Sequence, residues 1–436
     1  MNGRYFCFTI VVRVNQIEVA PGINLGVDER RENTVENLIL YRNAIHDVIP
    51  DAKITIAFSH EALTDETENF RALRAKAREY HDLYGDDITY MLGAYFSAAY
   101  SPRAQINEHV DKAVSLLKSF MGDGYLPQSI VGGFVPAAVV SHIASLGIRT
   151  VQGIIFSQYA VDNQDGDGSI CYPYYPSKEH FCKPAQNDED FIDVVMLDGW
   201  TVDFINATYA GGGGGVAFTS RMGCGPIETF KPFGEEKGSD IIVNTAAQMF
   251  EESYHLNGDF GFATAIWELC LIQKDGHHKM GIDGNTVKML FQKLHARFPD
   301  MKVVTFGEIG DIFRRSHKSN DSFFYHFIHR SKNDFEVHKY TEIEWYMNKL
   351  FRLGFRKNLQ TGEKLVIDFT DYTKLTHEPP DSDYSKGISN RFWSLMGDIN
   401  QKGLRDQDRP IPFEQLSESQ KALIETAENL YNVKIR

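Results

Sequence analysis

The chain has 436 residues, 42% of them hydrophobic and 24% charged, enough for one barrel-sized core and a smaller second unit. Its formal net charge of −14 repels phosphate backbones and anionic membrane surfaces, which argues against nucleic acid as a partner. The longest apolar runs, such as FCFTIVV, are strand-length, and none approaches the ~20 residues of a membrane span.

Apolar strand-like runs alternate with amphipathic stretches from the first residues onward. FCFTIVVRV (6–14) predicts a strand, and TVENLILYRNAIHDVI (34–49) a helix behind a Thr34 N-cap. KITIAF (53–58) is the next strand, followed by a charged helix over 67–85 that ends on Gly85, where a left-handed C-cap is expected. Strands at 87–96, 129–135 and 150–159 alternate with helices at 104–121 and 137–146. The rhythm continues with strand 193–200, a helix near 240–254, strand 265–273, a helix near 285–298, strand 301–306 and a helix in GEIGDIFRRSH.

Units of this kind make an α/β fold with a parallel sheet, and seven to eight of them close into a (β/α) barrel. After Asn320 the pattern changes to aromatic and β-branched runs separated by turns such as TGEK. The expected organisation is therefore a barrel over 1–319 and a smaller β-rich C-terminal domain over 320–436, with a terminal helix near 418–430. GGGGG (211–215) lacks the Lys-Ser/Thr of a phosphate loop and fits a mobile loop over the barrel mouth.

Five cysteines, odd in number and without a CxxC, write neither a zinc cage nor a disulfide framework, although Cys171 and Cys182 are close enough in sequence to pair. The chain starts at MNGRYF with no signal peptide ahead of the first strand. Its compartment is open: periplasmic or secreted if a leader has been removed, cytoplasmic otherwise.

The segments LGAYFSAAYSP (92–102), INEHVDKAVSLLKSF (106–120) and GYLPQSIVGGFVPAAVVSHIASLGIRTVQG (124–153) resemble the polysaccharide deacetylases of the NodB type in the order of strand, helix, Phe-x-Pro motif, helix and Leu-Gly. CLIQKDGHHKMGIDGNTVKMLFQKLHARFPDMKVVTFGEI (270–309) resembles the closing units of that family. The chain as a whole is similar to gut-bacterial domains of unknown function grouped with glycoside hydrolase/deacetylase barrels. The resemblance implies a distorted (β/α) barrel over residues 4–315 and a carbohydrate substrate.

The departures bear on the chemistry. Metal-dependent members carry an Asp-Asp pair after the first strand, where this chain has VRVNQIE (12–18), and two histidines after the third, where it has Tyr95, Phe96, Ser97 and Tyr100. The Arg of their Phe-Arg-Pro motif is Val135 here. A zinc-type site needs converging imidazole or carboxylate lone pairs, so the usual metal site is expected to be missing, and no cofactor is implied.

Reactive groups of such barrels sit at the carboxyl ends of the strands. The candidates are Arg13, Asn15 and Glu18; His60 and Glu61; Tyr95 and Ser97; Gln158 and Asp162; Asp198, Trp200 and Asp203; and Lys274, Asp275, His277 and His278. Glycoside hydrolysis needs two carboxyl groups flanking one bond, and LDGWTVDF places Asp198 and Asp203 around a tryptophan able to stack on a sugar. The same aspartates would serve equally as turn caps. Glu268, inside the strand AIWELCL, is a third carboxyl candidate. Adjacent His277 and His278 point apart and lack a nearby third ligand, so they fit a surface loop better than a metal.

DNQDGDGSICYPYY (162–175) follows the early pattern of a calcium loop, but its twelfth position from Asn163 is Tyr174 rather than Glu. Asp162 and Asp165 match the acidic places of the deacetylase segment after the fifth strand. Tyr172, Tyr174 and Tyr175, held by Pro173 and Pro176, are expected to form an aromatic platform at the edge of the cleft. The function expected is a metal-independent hydrolase of a poly- or oligosaccharide, using Asp198 and Asp162 with Glu268 in reserve. Trp200, Tyr172, Tyr174, Tyr175, Asp203, Arg13, Tyr95, Gln158 and Asp275 would hold the sugar. The alternatives are a glycan-binding relic without catalysis and a deacetylase with relocated metal ligands. The oligomeric state is open.

Overall fold

The computed structural model describes residues 1–20, 23–93, 95–156, 168–209, 222–272, 282–331, 339–390, 393–395, 397, 399–400 and 410–435. It opens on β1 (Gly3–Val12), buried after its first two residues, as expected of a parallel strand covered on both faces. A hairpin that the apolar pattern does not announce follows, β2 (Asn15–Ala20) and β3 (Ile23–Asp28). The Thr34 hydroxyl accepts from the Asn37 amide and caps α1 (Val35–His46). Next come β4 (Thr55–Phe58), α2 (His60–Thr64), α3 (Glu68–Tyr84) and β5 (Asp87–Tyr90). Gly85 closes α3 at φ 78° and ψ 25°, the left-handed cap its position predicts.

The series continues through α4 (Arg103–Met121), β6 (Ile130–Val131), α5 (Ala137–Ser145), β7 (Thr150–Ile154) and β8 (Val195–Asp198). Then come α6 (Phe204–Tyr209), α7 (Pro226–Phe250), α8 (Glu252–Leu256) and β9 (Phe260–Glu268). The helix expected near 240–254 is longer at its start and is kinked at Gly234, whose φ of 76° follows Pro232. Last in this part are α9 (Gly284–Arg297), β10 (Lys302–Val303) and α10 (Phe306–Ser316).

The fold is mixed α/β. Its parallel strands fall into two sheets, one ordered β10-β1-β4-β5 with β9 also on β1, the other β6-β7-β8. Leu92 donates to the Val131 carbonyl at 2.9 Å between β5 and β6, and Thr201 donates to the Thr264 carbonyl at 3.0 Å between the end of β8 and β9. The uninterrupted ring of strands that the alternation suggests is not present as one sheet among the described residues. At one break β6 is only two residues long and meets the end of β5 through an isolated bridge, Met91 to Val131.

The C-terminal part is an antiparallel sheet ordered β11 (Phe324–Arg330), β12 (Thr341–Asn348), β13 (Phe351–Asn358), β14 (Lys364–Asp371) and β15 (Ile399–Asn400), with β16 (Ile411–Pro412) also on β14. Side chains alternate across its pleat. Tyr325, Phe327, Ile343, Trp345 and Met347 join the core of the α/β part. Tyr346, Leu353, Phe355 and Phe369 face a second core completed by Ile424 and Ala427 of α11 (Glu418–Tyr431). Buried Arg352 links the parts: it donates to Asp368 and to the Ser169 carbonyl, and lies over the rings of Phe156 and Trp345.

All five cysteines are free and buried. The Cys171–Cys182 pairing is therefore corrected: Cys171 lies against the Met347 sulfur at 3.8 Å instead. Among the described residues no helix is long and apolar enough to cross a membrane.

Candidate functional site

The carboxyl ends of β1, β4, β5, β8 and β9 carry most of the described candidates. At the end of β1, Arg13 Nε and Nη2 donate to the two Glu29 oxygens at 2.7 and 2.8 Å. The neighbouring strand β9 ends on Glu268, whose Oε1 lies 3.4 Å from Arg13 Nη2 with 30% of its side chain exposed. Burial pushes the Arg13 guanidinium down, but the Glu29 and Glu268 carboxylates outweigh it and leave the group above its ordinary value.

Glu18 turns inward from the hairpin. Its carboxylate accepts from Ser59 Oγ at 2.6 Å and from the Val14 and Glu61 amides at 3.0 Å. Burial still raises its pKa, against the pull of these donors. The arrangement ties the hairpin to the start of α2 and leaves Glu18 a structural group. His60 stacks on His109 with centroids 5.9 Å apart, and both are shifted down by burial. Asn15 and Ser97 are buried.

An aromatic pair stands across the strand ends. Tyr95 and Trp200, both half-buried, stack with centroids 5.7 Å apart and planes 15° apart. The Tyr95 hydroxyl donates to Gln152 Oε1 at 3.0 Å, and Gln152 Nε2 donates to the Ile154 carbonyl. Gly199 makes room for this set, because a Cβ there would meet Gln152 Nε2 at 2.4 Å and Tyr95 Oη at 2.7 Å. Asp198, two residues before Trp200, is buried, its Oδ1 accepting from the amides of Trp200 at 3.2 Å and Phe156 at 3.4 Å.

The carboxyl groups stand at different depths. Thr264 Oγ1 donates to the Gly199 carbonyl, so Asp198 is close to the level of Thr264. Glu268 is four residues further along β9, roughly 13 Å at ~3.3 Å per residue.

Several expectations change. Tyr172, Tyr174 and Tyr175 are not a platform: they are 0%, 0% and 2% exposed. Tyr172 is surrounded by Phe260, Phe262, Tyr325 and Phe327, and its hydroxyl accepts from the Phe262 amide. The hydroxyls of Tyr174 and Tyr175 donate to the Phe181 and His317 carbonyls. The C-terminal sheet covers this segment, which local sequence cannot show. Asp203 is likewise a turn cap: it accepts from the Asn206 amide and from Gln248 Nε2, with His329 Nε2 at 3.5 Å. Gln158, Asp162, Asp165, Lys274, Asp275, His277 and His278 lie outside the described residues, as does the glycine run.

Two partners escaped the sequence reading. Gln152 left a weak trace as an amide inside a strand, whereas Glu29 left none, since an acidic residue after a hairpin reads as solvated. The residues that would hold the metal of the deacetylases do not fit one. A guanidinium occupies the end of β1, and among the described residues no group of three or more His, Cys, Asp or Glu could hold a metal ion.

Residues 1–347 match the model of DUF3863, a domain of unknown function with solved structure. The chain belongs to the DUF3863 family. Residues 352–430 of this DUF3863 protein match a second domain of unknown function, DUF3864. Among solved structures, the DUF3863 chain is similar to a protein from Parabacteroides distasonis provisionally named a glycoside hydrolase/deacetylase, at 36% identity and a TM-score of 0.91 over 98% of this chain and 99% of that one. It is more distantly similar to a GH57-type branching enzyme from Pyrococcus horikoshii, at 10% identity and a TM-score of 0.43 over 72% of this chain and 71% of that one. A provisionally named polysaccharide deacetylase from Pseudomonas aeruginosa stands at 12% and 0.45, over 72% of this chain and 91% of that one. Among curated proteins nothing matches the chain.

Proposed function

We propose that this DUF3863 protein is a carbohydrate-active hydrolase that cleaves a poly- or oligosaccharide without a metal. The two parallel sheets act as one distorted (β/α) barrel over 1–319, and the β-rich domain over 320–436 closes its side. The observation that supports the reading is the Tyr95–Trp200 stack, whose Trp200 backbone amide donates to Asp198. Aromatic faces bind the C–H faces of sugars, and a carboxyl group beside them is placed to act on the glycosidic linkage. The name of the Parabacteroides distasonis relative points the same way.

In this reading Asp198 and Asp162 are the acid and base, with Glu268 the carboxyl in reserve. Glu268 and Arg13 bind sugar hydroxyls at the rim, and Gln158 and Asp275, which lie outside the described residues, are further sugar ligands. A second reading, glycan binding without cleavage, is favoured by one observation: Asp198 Oδ1 already accepts two backbone amides, as a structural carboxylate does.

A hydrolysis screen of purified protein against soluble polysaccharides separates the two. Cleavage that falls roughly 10²–10⁴-fold in Asp198→Asn and in Asp162→Asn supports catalysis. Near-normal turnover in both variants refutes the assignment, and binding with no cleavage by the parent protein selects the second reading.

A further inference from the structure

After β14 the chain runs back to the α/β part, and residues 376–390 lie along the rim beside the segment that carries Tyr95. The anchorage is extensive. Glu378, 6% exposed at its side chain, accepts from the Ala137 amide at 2.7 Å, from the Phe181 amide at 3.1 Å and from Arg103 Nη2 at 3.0 Å. Arg103 also donates to the Pro379 carbonyl at 2.9 Å, pairs with Asp381, and lies 4.8 Å over the Trp393 ring. The Tyr384 amide donates to the Tyr100 carbonyl at 2.7 Å, and Ser389 Oγ to the Ala99 carbonyl at 3.4 Å.

The Glu378, Asp381 and Ser389 side chains and the Pro379 and Tyr384 backbone hold this segment in place, while the Tyr384 and Ile388 side chains turn outward. Tyr384 is 42% exposed and Ile388 50%. The Tyr384 ring sits 6.3 Å from that of Tyr100, which is half-buried. Tyr100 in turn is five residues from Tyr95, whose ring stacks on Trp200. Single exposed apolar side chains are ordinary. Here, however, the exposed ring stands on an anchored segment beside Tyr100, and its sequence neighbours offer the Asp383 carboxylate, which accepts from the Ser385 hydroxyl and pairs with the Lys386 ammonium. Ring faces beside carboxylate, hydroxyl and ammonium groups suit a sugar unit, which offers both C–H faces and hydroxyls.

We infer that Tyr100 and Tyr384 form a distal sugar subsite, so that the ligand is a glycan chain several units long whose far end rests on the C-terminal domain. The inference rests on the carbohydrate reading of the Tyr95–Trp200 site and extends it to chain length.

The test is calorimetric binding of the full chain to two ladders, chito-oligosaccharides and malto-oligosaccharides, from disaccharide to hexasaccharide. Affinity of the parent protein is expected to rise with length in one ladder. Tyr384→Ala should lower affinity for the longest member about tenfold, the size of one lost stacking contact, and leave the disaccharide unchanged. Tyr384→Phe, which keeps the ring, should bind like the parent. Equal affinity of Tyr384→Ala and parent for every length, or an equal loss for short and long members, overturns the subsite while leaving the Tyr95–Trp200 site standing. Failure of the parent to bind any member overturns the carbohydrate reading and the subsite with it.

Discussion

Arg13 and Glu29 form a two-pronged ion pair at 2.7 and 2.8 Å, with the Glu29 side chain wholly out of solvent. The pair fixes the end of β1, and burial, with the Glu29 carboxylate nearby, holds the Cys270 thiol above its ordinary pKa. Removing one partner strands a buried charge. Glu29→Gln should therefore lose about 3–5 kcal/mol in urea denaturation. The double variant Arg13→Met/Glu29→Leu should recover most of that. A Glu29→Gln loss below about 1 kcal/mol would show that Glu268 compensates for the missing partner.

Tyr172 tests the correction to the aromatic platform. Tyr172→Ala opens a cavity among four aromatic rings and should cost about 3–5 kcal/mol. Tyr172→Phe loses only the bond to the Phe262 amide, about 1 kcal/mol. Neither effect concerns a ligand, so glycan affinity of the folded Tyr172→Phe protein should equal that of the parent. A large affinity loss there would put the ring back in the cleft.

Gly199→Ala probes the support of the stack. Its Cβ falls within 2.4 Å of Gln152 Nε2 and 2.7 Å of Tyr95 Oη, so the Gln152–Tyr95 pair that supports the stack must shift. Overpacking should cost about 1–3 kcal/mol. The stronger expectation is a loss of glycan binding at unchanged fold, read by calorimetry beside far-ultraviolet circular dichroism. Retained affinity would separate the stack from the binding site.

Asp87 makes stability depend on pH. Burial raises its pKa from 3.8 to about 6, against donors from the Gln128 amide, Ser129 and Tyr125. Below 3.8 the group is protonated in both folded and unfolded chains and costs nothing. As pH rises from 3.8 to about 6 the unfolded chain releases its proton first, so stability falls across that window and stays lower above it. The loss is about 3 kcal/mol. Urea denaturation of Asp87→Asn at pH 4 and pH 7 should show a smaller fall than the parent, and an identical fall would assign the pH dependence to other groups.

The residues by themselves determined the strand-helix alternation, the caps at Thr34 and Gly85, and the change of pattern near Asn320. These are short-range properties: periodicity, cap chemistry and side-chain type act within a few residues. Only the tertiary structure decided which candidates meet. Arg13 finds Glu268 because β9 pairs along β1, and Tyr95 finds Trp200 because β5 and β8 end near one another. It also decided which candidates disappear. Tyr172 is buried under Tyr325 and Phe327 of the C-terminal sheet, Tyr175 against Phe191 and Phe313, and Asp203 accepts from Gln248. Burial is set by what packs on a segment from far along the chain, and a tyrosine between prolines reads the same whether water or a sheet lies above it.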